Sequence, residues 1–130
     1  MKKINVDIYK TEILLFGSYE ELEKYCKKYG VMMEERSHYG LAASIENSEG
    51  LAGVLVDKEG RADYFIAIRE KCIGNLAHEC LHAAFFILEN VGVDISFTNQ
   101  EAVTYLFQYI FEEALLKLKM ASTELIEGNE

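Results

Sequence analysis

The apolar positions in the first part of the chain predict a strand followed by a helix. EILLFGS, residues 12–18, is an apolar run with the composition of a β-strand. SYEELEKYCKKYG, residues 18–30, has helical spacing: Ser18 can cap its amino end, Glu21 stands where a capping box requires it, and Gly30 can end the helix. The helix face predicted to turn inward consists of Leu22, Tyr25 and Tyr29.

The middle of the chain changes to short apolar runs that are typical of β-strands. YGLAASIEN, LAGVLVD and RADYFIAI, residues 39–47, 51–57 and 61–68, are separated by SEG and KEG, which favour tight turns. We therefore expect a small antiparallel sheet in this part of the chain.

Two longer segments then return to helical spacing. They cover about residues 75–90 and 99–120; Gly92 can end the first helix, and Thr98 or Asn99 can cap the second. Strands followed by helices predict an α+β domain. The expected architecture is a small antiparallel sheet with an N-terminal helix, followed by two packed helices. The core positions predicted on the last helix are Leu106, Tyr109, Ile110 and Leu116.

The composition indicates a single acidic domain. The chain has 130 residues, half of them apolar, with no proline and no low-complexity linker, which predicts one domain over residues 1–123 and a flexible tail over 124–130. A net charge of -9 disfavours nucleic acids and anionic membranes as partners. No apolar run is long enough to span a bilayer and MKKINVDIYK contains no signal-peptide core, so we expect a cytoplasmic protein. The cysteines predicted to be buried are Cys26, Cys72 and Cys80.

The residues with the clearest chemistry lie in AHECLHAAFF, residues 77–86. His78, Glu79 and His82 spell HExxH, and on a helix the two histidines lie about 40° apart on one face. Both imidazoles can then reach one metal ion at roughly 2.0–2.1 Å. The alternative is a core helix that buries both histidines and binds no metal.

A catalytic zinc ion normally has three protein ligands, so the motif requires a third. His38 lies far upstream in the turn-like RSHYG, and Glu89, two turns beyond His82, would point at the wrong end of the helix. Glu101, near the amino end of the last helical segment, is the better candidate, provided that the second helix approaches obliquely or the connecting loop climbs back.

These two pieces of sequence together resemble a known family. HECLH, separated by eighteen residues from the glutamate of NQEAV, resembles the gluzincin branch of zinc metallopeptidases. Residues 76–110 are also similar to small zincin-like proteins of phages and prophages, which combine HExxH, a GV-containing loop and an N-x-E-A-x-x-Y motif. The resemblance implies a minimal zincin-like fold whose Zn2+ ligands are His78, His82 and Glu101. Glu79 would be the general base.

The donor for the developing oxyanion stays open at the level of the sequence. Tyr105, one turn after Glu101, is the first candidate, and packing of its ring at a helix interface is the alternative role. Larger gluzincins often have at this position a carboxylate or a serine that orients the ligands, whereas this chain has Tyr105. His38 and Tyr39 are further candidates from the preceding turn.

Three hypotheses about function follow. The first is a zinc metallopeptidase that acts on a peptide or protein substrate, in the bacterial host cytoplasm if it is phage-encoded. We expect no second lobe after the last helix, so the cleft would be shallow or completed by a protein partner. The second is a zinc-stabilised, non-catalytic phage binding or structural protein, and the third is a metal-free α+β domain. Zinc is preferred to iron or manganese because of the ligand set and the resemblance.

Overall fold

A five-stranded sheet lies at the centre of the computed structural model, which describes residues 1–34 and 49–120. The strands follow one another in the sheet in the order β1–β2–β5–β4–β3. Strand β5 is therefore central, with β2 on one side and β4 on the other. The strands are β1 (Lys2–Val6), β2 (Thr11–Phe16), β3 (Met32–Met33), β4 (Gly50–Val56) and β5 (Ala62–Ile68).

The sheet is mixed: the antiparallel pairing predicted for the middle of the chain is present in residues 50–68, and a further strand joins it in parallel. Strands β4 and β5 form the expected antiparallel hairpin, but β2 and β5 pair in parallel. Parallel strands need a long connection, and the described residues between β2 and β5 form a helix and two further strands. The strand predicted over residues 39–47 lies outside the described residues.

Strand β1 is an element that we did not predict. Lys3 and Asn5 are exposed, whereas Ile4 and Val6 are buried. This alternation is typical of a strand with one face exposed to solvent and the other buried. A short 3-10 helix, Asp7–Tyr9, then turns the chain into β2.

Helix α1 (Tyr19–Tyr29) begins and ends as predicted. The Ser18 hydroxyl accepts a hydrogen bond from the Glu21 backbone N–H at 3.1 Å, and Gly30 ends the helix with a φ of 63°. Leu22 is buried, but the prediction that Tyr29 faces inward is wrong: its side chain is 56% exposed.

Helices α2 (Ile73–Asn90) and α3 (Gln100–Lys117) pack against each other, which confirms the α+β class and the two packed helices. Gly92, with a φ of 80°, follows the end of α2. Asn99 occupies the N-cap position of α3, but its side-chain amide donates to the Asp94 carbonyl at 2.7 Å and does not cap the helix.

The sheet separates two apolar clusters, one on each face. Ile4, Ile13 and Ile66 belong to the cluster that packs with α2 and α3, and Leu14 and Phe65 belong to the one under α1. Four predicted burials are wrong or incomplete, because these side chains are exposed or only partly covered: Cys26, Cys72, Tyr109 and Leu116. In the described part of the chain, no helix is long and apolar enough to cross a membrane.

Candidate metal centre

The core side of helix α2 determines where the HExxH residues point. Glu79 is buried beside the apolar stripe of the helix, His82 is half-buried and His78 is exposed. Packing of the stripe against the sheet and α3 fixes the rotation of the helix, and this rotation leaves both imidazoles at the surface on one side. The buried apolar side chains of the stripe are Leu76, Cys80, Ala83, Ala84, Ile87 and Leu88.

The two imidazoles converge. Nε2 of His78 and Nε2 of His82 lie 3.2 Å apart, and the ring planes are at 76°. Phe86 stacks on the ring of His82 at 16°, with 6.1 Å between centroids. Two nitrogen ligands of a tetrahedral zinc ion at 2.0–2.1 Å would be about 3.3 Å apart, so the pair fits one ion. The same separation also allows one ring to donate a hydrogen bond to the other.

The Glu79 side chain lies between the helix and the start of β4. It is only 8% exposed. One oxygen of its carboxylate and one nitrogen of each imidazole all lie within 4.8 Å of one another. A Cβ placed on Gly50 would be 2.7 Å from Cγ of Glu79 and 3.1 Å from its Oε2. The absence of a side chain at Gly50 therefore makes the space that this carboxylate occupies.

Burial controls protonation around the imidazoles. It raises the pKa of the Glu79 carboxyl, and the His78 imidazole acts against this by lowering it. It lowers the pKa of His82, and His78 acts in the same direction. A metal requires neutral imidazole, so the shift at His82 favours binding. Burial, followed by the Glu79 charge, raises the pKa of Cys80 to about 12, which keeps this thiol neutral and unsuited to be a nucleophile.

The structure brings together three of the predicted site residues and places two others elsewhere. Within residues 1–34 and 49–120, the group able to hold a metal consists of His78, Glu79 and His82. Glu101 and Tyr105 line a groove that α3 forms with residues 6–9. The further candidates His38 and Tyr39 lie outside the described residues.

Two contributors to the centre were not predicted from the sequence, and only one of them, Phe86, leaves a signal there. Gly50 stands in SEG, which we interpret as a turn, and its approach to Glu79 depends on how β4 lies against α2. Phe86 follows His82 by one helical turn, so its stacking is visible in the spacing once the helix is assumed.

Comparisons with protein-family models, with curated proteins and with solved structures find no match. The resemblance to zincins therefore rests on the HECLH and NQEAV motifs, and the geometry of the His78–Glu79–His82 cluster is the independent physical argument for a metal site.

Proposed function

We propose that this protein is a zinc-dependent metallopeptidase whose metal is held by His78 and His82, with Glu101 as the third ligand. The observation that carries the proposal is the convergence of two Nε2 atoms to 3.2 Å beside a buried carboxylate. Two imidazoles and one carboxylate are a ligand set that catalytic zinc uses.

Each residue of the cluster has a definite task in peptide hydrolysis. Bound zinc would supply a Lewis acid that lowers the pKa of water and polarises the scissile carbonyl. A carboxylate oxygen of Glu79 accepts a proton from the attacking water and passes it to the amine as the C–N bond breaks. Gly50 positions Glu79, because only glycine leaves room for its side chain next to β4.

The resemblance, and not the geometry of the cluster, supports the two roles assigned on α3. Glu101 is exposed and Tyr105 is 67% exposed, so neither side chain is held by surrounding core residues. We propose that Glu101 completes the metal site when zinc binds and that the Tyr105 hydroxyl stabilises the developing oxyanion.

The second candidate function is a zinc-stabilised, non-catalytic binding or structural protein of phage origin. One observation favours it: the carboxylate nearest the two imidazoles is that of Glu79, whereas Glu101 lies outside the cluster. If Glu79 itself bound the metal, the site would lack a separate base, and zinc would serve only to hold the fold together.

The first experiment is metal analysis of the 130-residue protein after zinc loading and desalting. We expect one zinc per chain, lost or much weakened by His82→Ala and by Glu101→Ala, while His38→Ala retains it. Loss in His38→Ala with retention in Glu101→Ala would overturn the assignment of the third ligand. A folded wild type that binds no zinc would refute both functions.

The second experiment separates enzyme from structural protein. The zinc-loaded wild type is incubated with a peptide library beside Glu79→Gln, and products are identified by mass spectrometry. Cleavage by the wild type that is lost in Glu79→Gln, with zinc content unchanged, supports the peptidase. A wild type that binds zinc and cleaves neither peptides nor unfolded protein would favour the structural function. The substrate we propose is a peptide or protein, with a partner completing the shallow cleft.

A further inference from the structure

A second surface feature lies away from the His78–Glu79–His82 cluster. It is a groove of about 460 Å³ between the end of β1 with the following 3-10 turn, residues 6–9, and the first half of α3. We call it the β1–α3 groove. None of its lining residues belongs to the HExxH motif. The groove residues contributed by α3 are Glu101, Ala102, Tyr105, Leu106 and Tyr109.

The floor of the β1–α3 groove is rigid and its walls are apolar. Val6 and Leu106 are buried core residues, so the floor cannot move without disturbing the core. The walls include three exposed large side chains: Ile8 at 80%, Tyr105 at 67% and Tyr109 at 42% exposure. Apolar side chains clustered in a groove indicate an interaction site more strongly than the same residues scattered singly.

The polar groups of the groove are acidic. Asp7 and Glu101 line it, and in the described part of the chain neither carboxylate forms an ion pair. Tyr109 is held in place, since its hydroxyl donates to the Asn5 carbonyl at 2.5 Å. Tyrosine faces beside carboxylates are the surroundings that favour a lysine or arginine side chain, whose cation meets the charges while its stem covers the rings.

We propose that the β1–α3 groove binds a segment of a partner protein that presents an apolar side chain next to lysine or arginine. The net charge of -9 attracts such a segment from a distance, and the groove adds the apolar contact that charge alone does not provide. The groove contains Glu101 and Tyr105, to which the proposed peptidase assigns roles, but no residue of the HExxH motif. Binding to the groove is therefore tested on metal-free protein and through Ile8 and Asp7, which have no role in the proposed peptidase.

Two other occupants fit the groove less well. A second copy of this chain joined through the same face would bring its own Asp7 and Glu101 towards the first pair, because a two-fold interface places identical patches together. A strand added to the edge of β1 would compete with Tyr109, whose hydroxyl already donates a hydrogen bond to the Asn5 carbonyl. Side-chain insertion by a basic partner segment avoids both conflicts.

The test uses the metal-free 130-residue protein and three short labelled peptides that differ only in the residues at two neighbouring positions. One contains leucine and lysine, the second serine and lysine, and the third leucine and glutamate. Binding is followed by fluorescence anisotropy for the wild type, Ile8→Ser and Asp7→Asn. Two exposed residues outside the groove provide matched controls, Phe97→Ser for apolar loss and Glu59→Gln for charge loss. Thermal melts establish that every variant is folded.

We expect the leucine–lysine peptide to bind at least about tenfold more tightly than the other two, and Ile8→Ser to weaken it by about tenfold. Asp7→Asn should weaken binding of the leucine–lysine peptide less than Ile8→Ser does, and it should make that binding less dependent on salt. Both control variants should bind the peptide as the wild type does. Equal weakening by Phe97→Ser or Glu59→Gln would overturn the proposal, since binding would then be unspecific. A dimer that Ile8→Ser dissociates would overturn it in favour of a second copy.

Discussion

Substituting Gly50 by alanine should displace Glu79, and the size of the effect can be worked out from the contact. The new Cβ would lie 2.7 Å from Cγ of Glu79, about 1 Å closer than the 3.5–4.0 Å at which carbon atoms pack. Overpacking of this kind costs about 1–3 kcal/mol. The backbone of Gly50 is outside the left-handed region, so alanine itself causes no backbone strain.

A double-mutant cycle isolates this contact. Urea unfolding in the presence of a chelator is measured for the wild type, Gly50→Ala, Glu79→Ala and the double variant. Because Glu79→Ala removes Cγ and the carboxylate, Gly50→Ala should become neutral or stabilising by about 0.5–1 kcal/mol in that background, the usual gain when glycine is replaced inside a strand. The coupling energy is then the overpacking cost, about 1–3 kcal/mol.

The control is Gly74→Ala in the same helix as Glu79. A Cβ added at Gly74 would have Sγ of Cys72 as its nearest neighbour, at 4.0 Å, which is an ordinary contact. The change in unfolding free energy caused by Gly74→Ala should therefore add to that caused by Glu79→Ala. A coupling between positions 50 and 79 below about 0.5 kcal/mol, the range of simple additivity, would refute the positioning role of Gly50. In the zinc-loaded protein, Gly50→Ala should also lower kcat of any hydrolysis and leave zinc stoichiometry unchanged.

Three further predictions concern stability. Zinc at a hundred times its Kd should raise the free energy of unfolding by about 2.7 kcal/mol, and His82→Ala should abolish this gain in calorimetry. Leu76→Ala, at a fully buried position of α2, should lower the free energy of unfolding by about 2–5 kcal/mol in urea titrations, whereas Leu116→Ala at an exposed position of α3 should change it little. Hydrogen bonds from the Arg61 and Glu59 backbones hold the pKa of Asp57 below its usual value. The ionised Asp57 therefore adds to the free energy of unfolding at pH values above its unfolded-state pKa, and this addition is lost as pH falls through the folded-state pKa. Asp57→Asn should make the free energy of unfolding depend less on pH in the acid range, which urea titrations at several pH values measure.

The local features of the fold follow from the sequence because they depend on neighbours in the chain. Ser18, Glu21 and Gly30 define α1 through contacts within a few residues. His78 and His82 come together because a helix places positions four apart on one face. In each case, knowing the type of element was enough to predict the contact.

The features that the sequence did not predict depend on how elements are assembled. The parallel pairing of β2 with β5 and the contact of Gly50 with Glu79 both join segments far apart in the chain. Burial on α3 shows the same limit, since Leu106 and Tyr109 both fit its apolar pattern but only Leu106 is buried. Helical spacing predicts which residues share a face, while the packing of α3 against α2 and β1 decides which part of that face is covered.

The burial of Glu79 provides the argument that distinguishes a catalytic from a structural zinc site. Burying a carboxylate is unfavourable unless a charge or hydrogen bonds compensate it. In a structural site the compensation would be direct coordination, so Glu79→Gln should weaken zinc binding by more than about a hundredfold, beyond the usual effect of residues that only support ligands. In an enzyme, Glu79 faces the metal through water, and the same variant should change zinc affinity by less than about tenfold while hydrolysis stops. Competition with a chromophoric chelator measures the affinity, and a large loss would refute the assignment of Glu79 as the base.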